Sequence, residues 1–273
     1  MNDPKVILVT GASSGIGRAC AELLHRRSHI VYGTSRNPGS ISVPWRMIEL
    51  DVTHDDSVET AMARIVAEHG RVDIVINNAG LVMAGAIEDT CLDEAQRQFD
   101  TNFFGVLRIC KAVLPSMREK RAGLIINIGS LAGLVGLPFQ GLYSASKFAI
   151  EGFTEALRLE VAEFGVDAVV IEPGDIATSV VENRVRVGAS AGGSAYRETF
   201  EKVVATYEKE ERAGASPDVV ASKVLAIIET RRRAPRYGAG PISQRLLTGL
   251  KPFVPARLFE RGLMIYYGLK RAA

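Results

Sequence analysis

Lys5-Val6-Ile7-Leu8-Val9-Thr10 is a short apolar, β-branched run that stops at the turn Gly11-Ala12-Ser13-Ser14-Gly15-Ile16-Gly17, and a helical pattern through Ala19, Leu23 and Leu24 follows at once. A strand without polar alternation is buried on both faces, as parallel strands are. Glycines in the turn let backbone come close to a ligand, and the first amides of the helix supply partial positive charge. Together these make a cradle for a pyrophosphate.

The same alternation of apolar run and helical pattern repeats down the chain. Strands are expected at Ile30–Thr34, Arg46–Leu50, Asp73–Ile76, Leu124–Ile128, Asp167–Glu172 and about Pro235–Gly240. Helical patterns lie between them, including a long one from Leu92 to Met117 and another from the Tyr143 segment to Gly165. Strand and helix in alternation predict a doubly wound parallel sheet with helices on both faces. With 47% hydrophobic and 23% charged residues among 273, one large core is affordable and a single domain over 1–273 is expected. A formal charge of +2 argues against a nucleic-acid surface. No apolar run approaches a membrane span, and Met1 to Lys5 lacks the pattern of a signal peptide. Cys20, Cys91 and Cys110 are an odd number with no metal spacing, so reduced, mostly buried cysteines in a cytoplasmic protein without a metal are expected.

Chemistry-bearing residues fall where open α/β sheets bind ligands, just past the strands' carboxyl ends. Arg36 follows the second strand with neutral Ser35 before it, where an acidic residue would accept from a ribose hydroxyl. A guanidinium there suits a 2′-phosphate instead, with the Ser13 hydroxyl as a second donor, so NADP(H) is expected over NAD(H). Asp51, followed by Val52, is placed either to meet the adenine or to serve as a loop cap. Asn77-Asn78-Ala79-Gly80 ends the fourth strand in a tight turn. Asn102 lies inside the long helical pattern, either as a kink residue or as a catalytic one, and Ser130 lies just past the fifth strand. Thr178 suits either a cofactor carboxamide or a helix cap.

Tyr143 and Lys147 are four apart ahead of a helical pattern, which puts both side chains on one face. An ammonium about 4 Å from the phenol would favour phenolate by about 4 kcal/mol at an effective dielectric of about 20. That is about three pKa units, enough to bring the tyrosine near neutrality.

Taken together, TGASSGIG at Thr10 to Gly17, NNAG at Asn77 to Gly80, Asn102, Ser130, Tyr143 with Lys147, and Pro173-Gly174 resemble the short-chain dehydrogenase/reductase family over about the first 180 residues. The resemblance implies a single-domain Rossmann fold with a parallel sheet of about seven strands. It implies that Tyr143 exchanges a proton with a carbonyl or alcohol, that Ser130 bonds the substrate oxygen, that Lys147 lowers the tyrosine pKa and holds the ribose, and that Asn102 holds a water leading to solvent. It implies cofactor contacts from Gly11, Ser13, Ser14, Gly15, Ile16, Gly17, Arg36, Asp51, Val52, Asn78, Ala79, Gly80, Pro173, Gly174, Ile176 and Thr178, besides Tyr143 and Lys147. It also implies a homodimer or homotetramer built on the helices around Asn102 and after Tyr143. The run LAGLVGLPFQGLYSASKFAIEGFTEALRLE and the following IEPGDIAT are similar to the 17β-hydroxysteroid dehydrogenase-like and retinol dehydrogenase-like branch. One departure is Gly129, where relatives often carry a second serine before Ser130.

The expected function is therefore NADPH-dependent interconversion of a hydrophobic ketone or aldehyde and its alcohol. The alternatives are an NAD-dependent secondary alcohol dehydrogenase and a cofactor-binding regulatory protein without turnover. Residues 180–215 are less regular, with Gly188, Gly192 and Gly193 before a charged helical stretch from Tyr196 to Arg212, and are placed to cover substrate. The tail, 241–273, mixes leucines and aromatics with Arg245, Lys251, Arg257, Arg261, Lys270 and Arg271 against Glu260 alone. Such a segment can lie on a membrane. The expectation favours snorkelling over a hydrophobic pocket or dimer seam.

Overall fold

The computed structural model describes residues 3–271. Among the described residues nine strands form: β1 (Val6–Val9), β2 (Ile30–Ser35), β3 (Arg46–Glu49), β4 (Ile74–Asn77), β5 (Met83–Ala84), β6 (Gly123–Ile128), β7 (Val166–Pro173), β8 (Val185–Arg186) and β9 (Arg236–Ala239). Seven make one parallel sheet in the order β3-β2-β1-β4-β6-β7-β9, and β5 pairs with β8 alone. The helices are α1 (Gly15–Arg26), α2 (Asp55–His69), α3 (Leu92–Phe99), α4 (Gly105–Glu119), α5 (Gly141–Val161), α6 (Val180–Asn183), α7 (Gly188–Ala191), α8 (Arg197–Arg212), α9 (Asp218–Glu229), α10 (Ile242–Leu250) and α11 (Ala256–Tyr266).

Strand periodicity divides the core into two layers. On β1, Val6 and Leu8 join Val58 and Ile65 of α2, Ile109 of α4 and Ile150 of α5. Ile7 and Val9 point the other way, into Cys20 and Leu24 of α1 and Val220 and Val224 of α9. Both faces of the strand are thus covered, which is why its sequence shows no polar alternation. Parallel pairing from β1 runs outward in two directions, to β2 and to β4. The crevice opened by that reversal lies at the strands' carboxyl ends, where a ligand is expected.

One expectation needs correction. Leu92 to Met117 is not one helix: α3 ends at Phe99, a π-helical turn covers Asp100–Phe104, and α4 begins at Gly105. The cause is Asn102. Its carboxamide accepts from Leu81 N at 2.7 Å and donates to Leu81 O at 2.9 Å and to Ser146 Oγ at 3.1 Å. An extra residue in the turn rotates this side chain into the interior, where only full hydrogen bonding makes its burial tolerable. The short β5–β8 pair was also not apparent in the sequence, because two-residue strands carry no period.

The tail meets its expectation on one side only. Leu247, Phe259, Leu263 and Tyr266 face the cavity described below, whereas Ile242, Leu246, Leu250, Phe253, Leu258 and Ile265 are exposed.

At the glycine turn, Gly11 and Gly15 have φ of 65° and 54°, values that disfavour a side chain. Gly17 is constrained by space instead: a Cβ there would overlap the Asn78 amide and the Gly11 carbonyl. Gly17→Ala is therefore expected to destabilise the protein by about 1–3 kcal/mol through overpacking. Urea denaturation measures this, and an unchanged midpoint would show that the turn can spread at no cost.

Candidate active site

β6 ends at Ile128, and the next two residues place Ser130 outside the sheet in extended backbone. Its Oγ accepts from Ala132 N at 3.1 Å, which fixes the oxygen and leaves its proton available. α5 begins at Gly141, putting Tyr143 in the first turn and Lys147 one turn later. The entry to α5 is forced: Phe139 has φ of 57°, held by edge contacts with Tyr196 and Phe200 and by its carbonyl accepting from Gly85 N at 2.8 Å. A non-glycine residue in this region stores strain that packing must offset.

Lys147 is buried, and its Nζ donates to Ile128 O at 2.8 Å. Its ammonium lies 5.8 Å from the centre of the Tyr143 ring. Burial lowers the Lys147 pKa to about 8, opposed by the Glu151 carboxylate one turn further along. The expected near-neutral phenol is corrected here. Burial pushes Tyr143 above the ordinary tyrosine range, and the Ser130 hydrogen bond only partly offsets it. Glu211 then opposes ionisation and Arg184 favours it. The physical reason is burial of the phenol, while the Lys147 ammonium donates to the Ile128 carbonyl.

Behind Lys147 sit two buried carboxyls, Glu151 and Glu172, with Arg236 3.2 Å from Glu151 Oε2. Burial first, and the neighbouring Glu172 second, raise Glu151 to about 7; burial also raises Glu172.

A cavity of about 300 Å³ opens at this end of the sheet. Of the expected site residues, Ile16, Asn78, Gly80, Ser130, Tyr143, Lys147, Pro173, Gly174, Ile176 and Thr178 line it. Asn102 does not: both its amide protons are committed to Leu81 and Ser146. Asn78 braces the glycine turn, donating to Thr10 O at 2.9 Å and Gly11 O at 3.1 Å, while its own N–H and that of Ala79 donate to Thr10 Oγ1. Asp51 behaves as a loop cap, since Oδ1 accepts from Thr53 N at 2.9 Å and Thr53 Oγ1 at 2.7 Å. Burial pushes its pKa up, but those bonds, His54 and Arg36 together bring it down. Arg36 is exposed past β2, and Val52 is buried near Gly105. Ser179 Oγ lies 3.4 Å from Ser14 Oγ, and Gly15 lies against Thr178, so the segment after β7 closes on the glycine turn.

The residues fit a dinucleotide phosphate. Ser14 makes no side-chain cap on α1, and no acidic residue occupies its first turn, so the helix's leading amides lack an internal anion. A cover over 180–215 was expected, but not which of its residues reach the cavity. Arg184 pairs with Glu211 at 2.6 Å, tying the segment before β8 to α8, and Glu211 lines the cavity with Asp175 and Tyr207. Gln244 reaches down from α10 to Asp175, whose N–H donates to Gln244 Oε1 at 2.9 Å. No local signal marks these pairs, because each joins segments distant in the chain. Among the described residues no group of three His, Cys, Asp or Glu side chains is placed to hold a metal, and no helix is long and apolar enough to cross a membrane.

Comparison with known proteins decides the family, since the short chain dehydrogenase profile matches residues 5–187. The chain belongs to the short-chain dehydrogenase family. This short-chain dehydrogenase is 42% identical to a 3-ketodihydrosphingosine reductase of Bacteroides thetaiotaomicron over 98% of its own length and 99% of the relative's. It is 32% identical to bovine retinol dehydrogenase 8, over 96% and 88% of the two chains. Among solved structures, a short-chain dehydrogenase from Streptomyces avermitilis superposes with a TM-score of 0.82 at 31% identity, covering 97% of this chain and 98% of that one. The chain is thus an oxidoreductase of a family whose fold binds a nicotinamide cofactor.

The carboxyl behind Lys147 gives a pH signature. A folded-state pKa near 7 against 4.5 in the unfolded chain means Glu151 adds stability at low pH that is lost as pH rises between those values. Glu151→Gln should therefore flatten the fall in stability between pH 5 and 7, measured by thermal melts. An equally steep fall in the variant would place the titration elsewhere.

Proposed function

We propose that this enzyme interconverts a long apolar ketone and its alcohol with NADP(H), and that reduction is the reaction it serves. The observation carrying this reading is the Tyr143 phenol beside the Ser130 hydroxyl in a cavity with apolar walls, among them Val135, Leu137, Leu247 and Leu263. Reduced nicotinamide would supply the hydride. Ser130 would donate to the carbonyl oxygen as negative charge develops there, and Tyr143 would deliver the proton. A protonated phenol, the ordinary form of tyrosine near neutral pH, is the form a reduction needs. Lys147 would carry positive charge beside the reacting groups and, with the ribose in place, stabilise phenolate after transfer. Asn102 would serve by fixing the π-helical turn, with a relay water meeting the oxygens there rather than its committed amide protons.

Four observations support the finer parts. Arg36 is exposed past β2 with no acidic residue at Ser35, as a 2′-phosphate site requires. Similarity along the whole chain to a 3-ketodihydrosphingosine reductase supports an aliphatic ketone bearing a long chain. Exposed Phe104, in the turn before α4, and Phe148 and Leu159, on α5, support a homo-oligomer built around those helices. Three free cysteines support action in the cytoplasm.

Tyr143→Phe should reduce kcat/KM for NADPH-dependent ketone reduction about a thousandfold while cofactor affinity stays unchanged. Retained turnover would remove Tyr143 as the proton donor. Arg36→Asp should weaken NADPH binding about a hundredfold and leave NADH almost unaffected. An unchanged ratio of the two dissociation constants would remove Arg36 as the phosphate reader.

A further inference from the structure

The tail has two faces, and only one is used by the pocket. On α10, Ile242, Leu246 and Leu250 recur every fourth residue and are all exposed. Phe253, in the turn after α10, is 84% exposed, and α11 adds Leu258 at 62% and Ile265 at 71%. Among these lie Arg245, Arg257, Arg261, Lys270 and Arg271, against the single carboxylate Glu260. Arg257, Arg261 and Arg271 border one open groove with Leu258, Ile265 and the carboxylate Glu260. Soluble chains seldom leave so many large apolar side chains exposed in one short segment without a partner for them.

The face is continuous with the cavity. Leu247 and Tyr266 each line it and are each about half exposed, so the cavity reaches the surface between α10 and α11. We infer that this face docks on an anionic lipid bilayer, its apolar residues entering the interface, its arginines meeting lipid phosphates, and the cavity mouth turned to the acyl layer. Charge decides between this occupant and a second copy of the chain. A two-fold contact would set Arg257, Arg261 and Arg271 against their own copies, with Glu260 the tail's only carboxylate to offset them. An anionic bilayer supplies the missing charge and accepts the apolar side chains in one contact. The inference stands on the tail alone and does not require the substrate proposed above.

Sedimentation of the full chain with vesicles tests it without any need for turnover. Binding is expected to phosphatidylcholine vesicles containing phosphatidylglycerol, with little to phosphatidylcholine alone, and it should weaken as salt rises. Phe253→Asp with Leu258→Asp should lower the partition coefficient about a hundredfold. Arg257→Glu with Arg261→Glu should lower it at least about tenfold on the anionic vesicles. Wild-type melting temperature and circular dichroism are required of both variants, neither of which alters a residue lining the cavity. Equal binding to both vesicle types, absence of binding, or unchanged binding by folded variants would overturn the inference. So would a concentration-dependent dimer that Phe253→Asp dissociates, because a second copy would then cover the face.

Discussion

A buried ammonium needs a partner, and the position of that partner fixes the site. Lys147 finds it in the carbonyl of Ile128, the last residue of β6. Because Lys147 is tied to the end of that strand, α5 must cross the sheet where its first turn brings Tyr143 beside Ser130. Burial that would otherwise discharge the lysine is opposed by Glu151, itself held among Glu172 and Arg236. The proton affinity of Lys147 therefore depends on Glu151 one turn along α5, which is in turn paired with the half-exposed Arg236.

Much of this arrangement was legible because local rules and global fold agree. The unalternated run at Val6–Val9, the glycine turn and the helix after it specify a buried parallel strand and a phosphate cradle from adjacent residues. Ser130, Tyr143 and Lys147 were readable for the same reason: each lies just past a strand or on one helical face. The protonation state was not readable. Spacing shows that a tyrosine and a lysine share a face, but not that the ammonium turns to a backbone carbonyl. Nor does it show how far the phenol is buried. Asn102 makes the point differently. Its polarity inside an apolar helical pattern signalled a special position, yet the π-helical turn depends on Leu81 and Ser146, which lie 21 and 44 residues away.

The cover and tail were least legible, since they are organised by contacts between remote segments. The Arg184–Glu211 pair and the Gln244–Asp175 contact bring α8 and α10 over the strands' ends. A buried ion pair contributes little net stability compared with an apolar contact of similar size, but it fixes which segments meet. Here it fixes the roof of the cavity. The tail's helices then serve two surfaces at once, which a hydropathy pattern cannot distinguish from a single amphipathic face.

The proposed reaction has a protonated Tyr143 and Ser130 act on a carbonyl held in an apolar cavity that takes a long chain. The most direct measurement is kcat/KM with NADPH for a series of methyl ketones that differ only in alkyl length. Each methylene that enters the cavity should raise kcat/KM about fourfold, corresponding to about 0.8 kcal/mol of burial, until the cavity is filled. A value independent of chain length, or one that falls from the shortest ketone onward, would contradict the account.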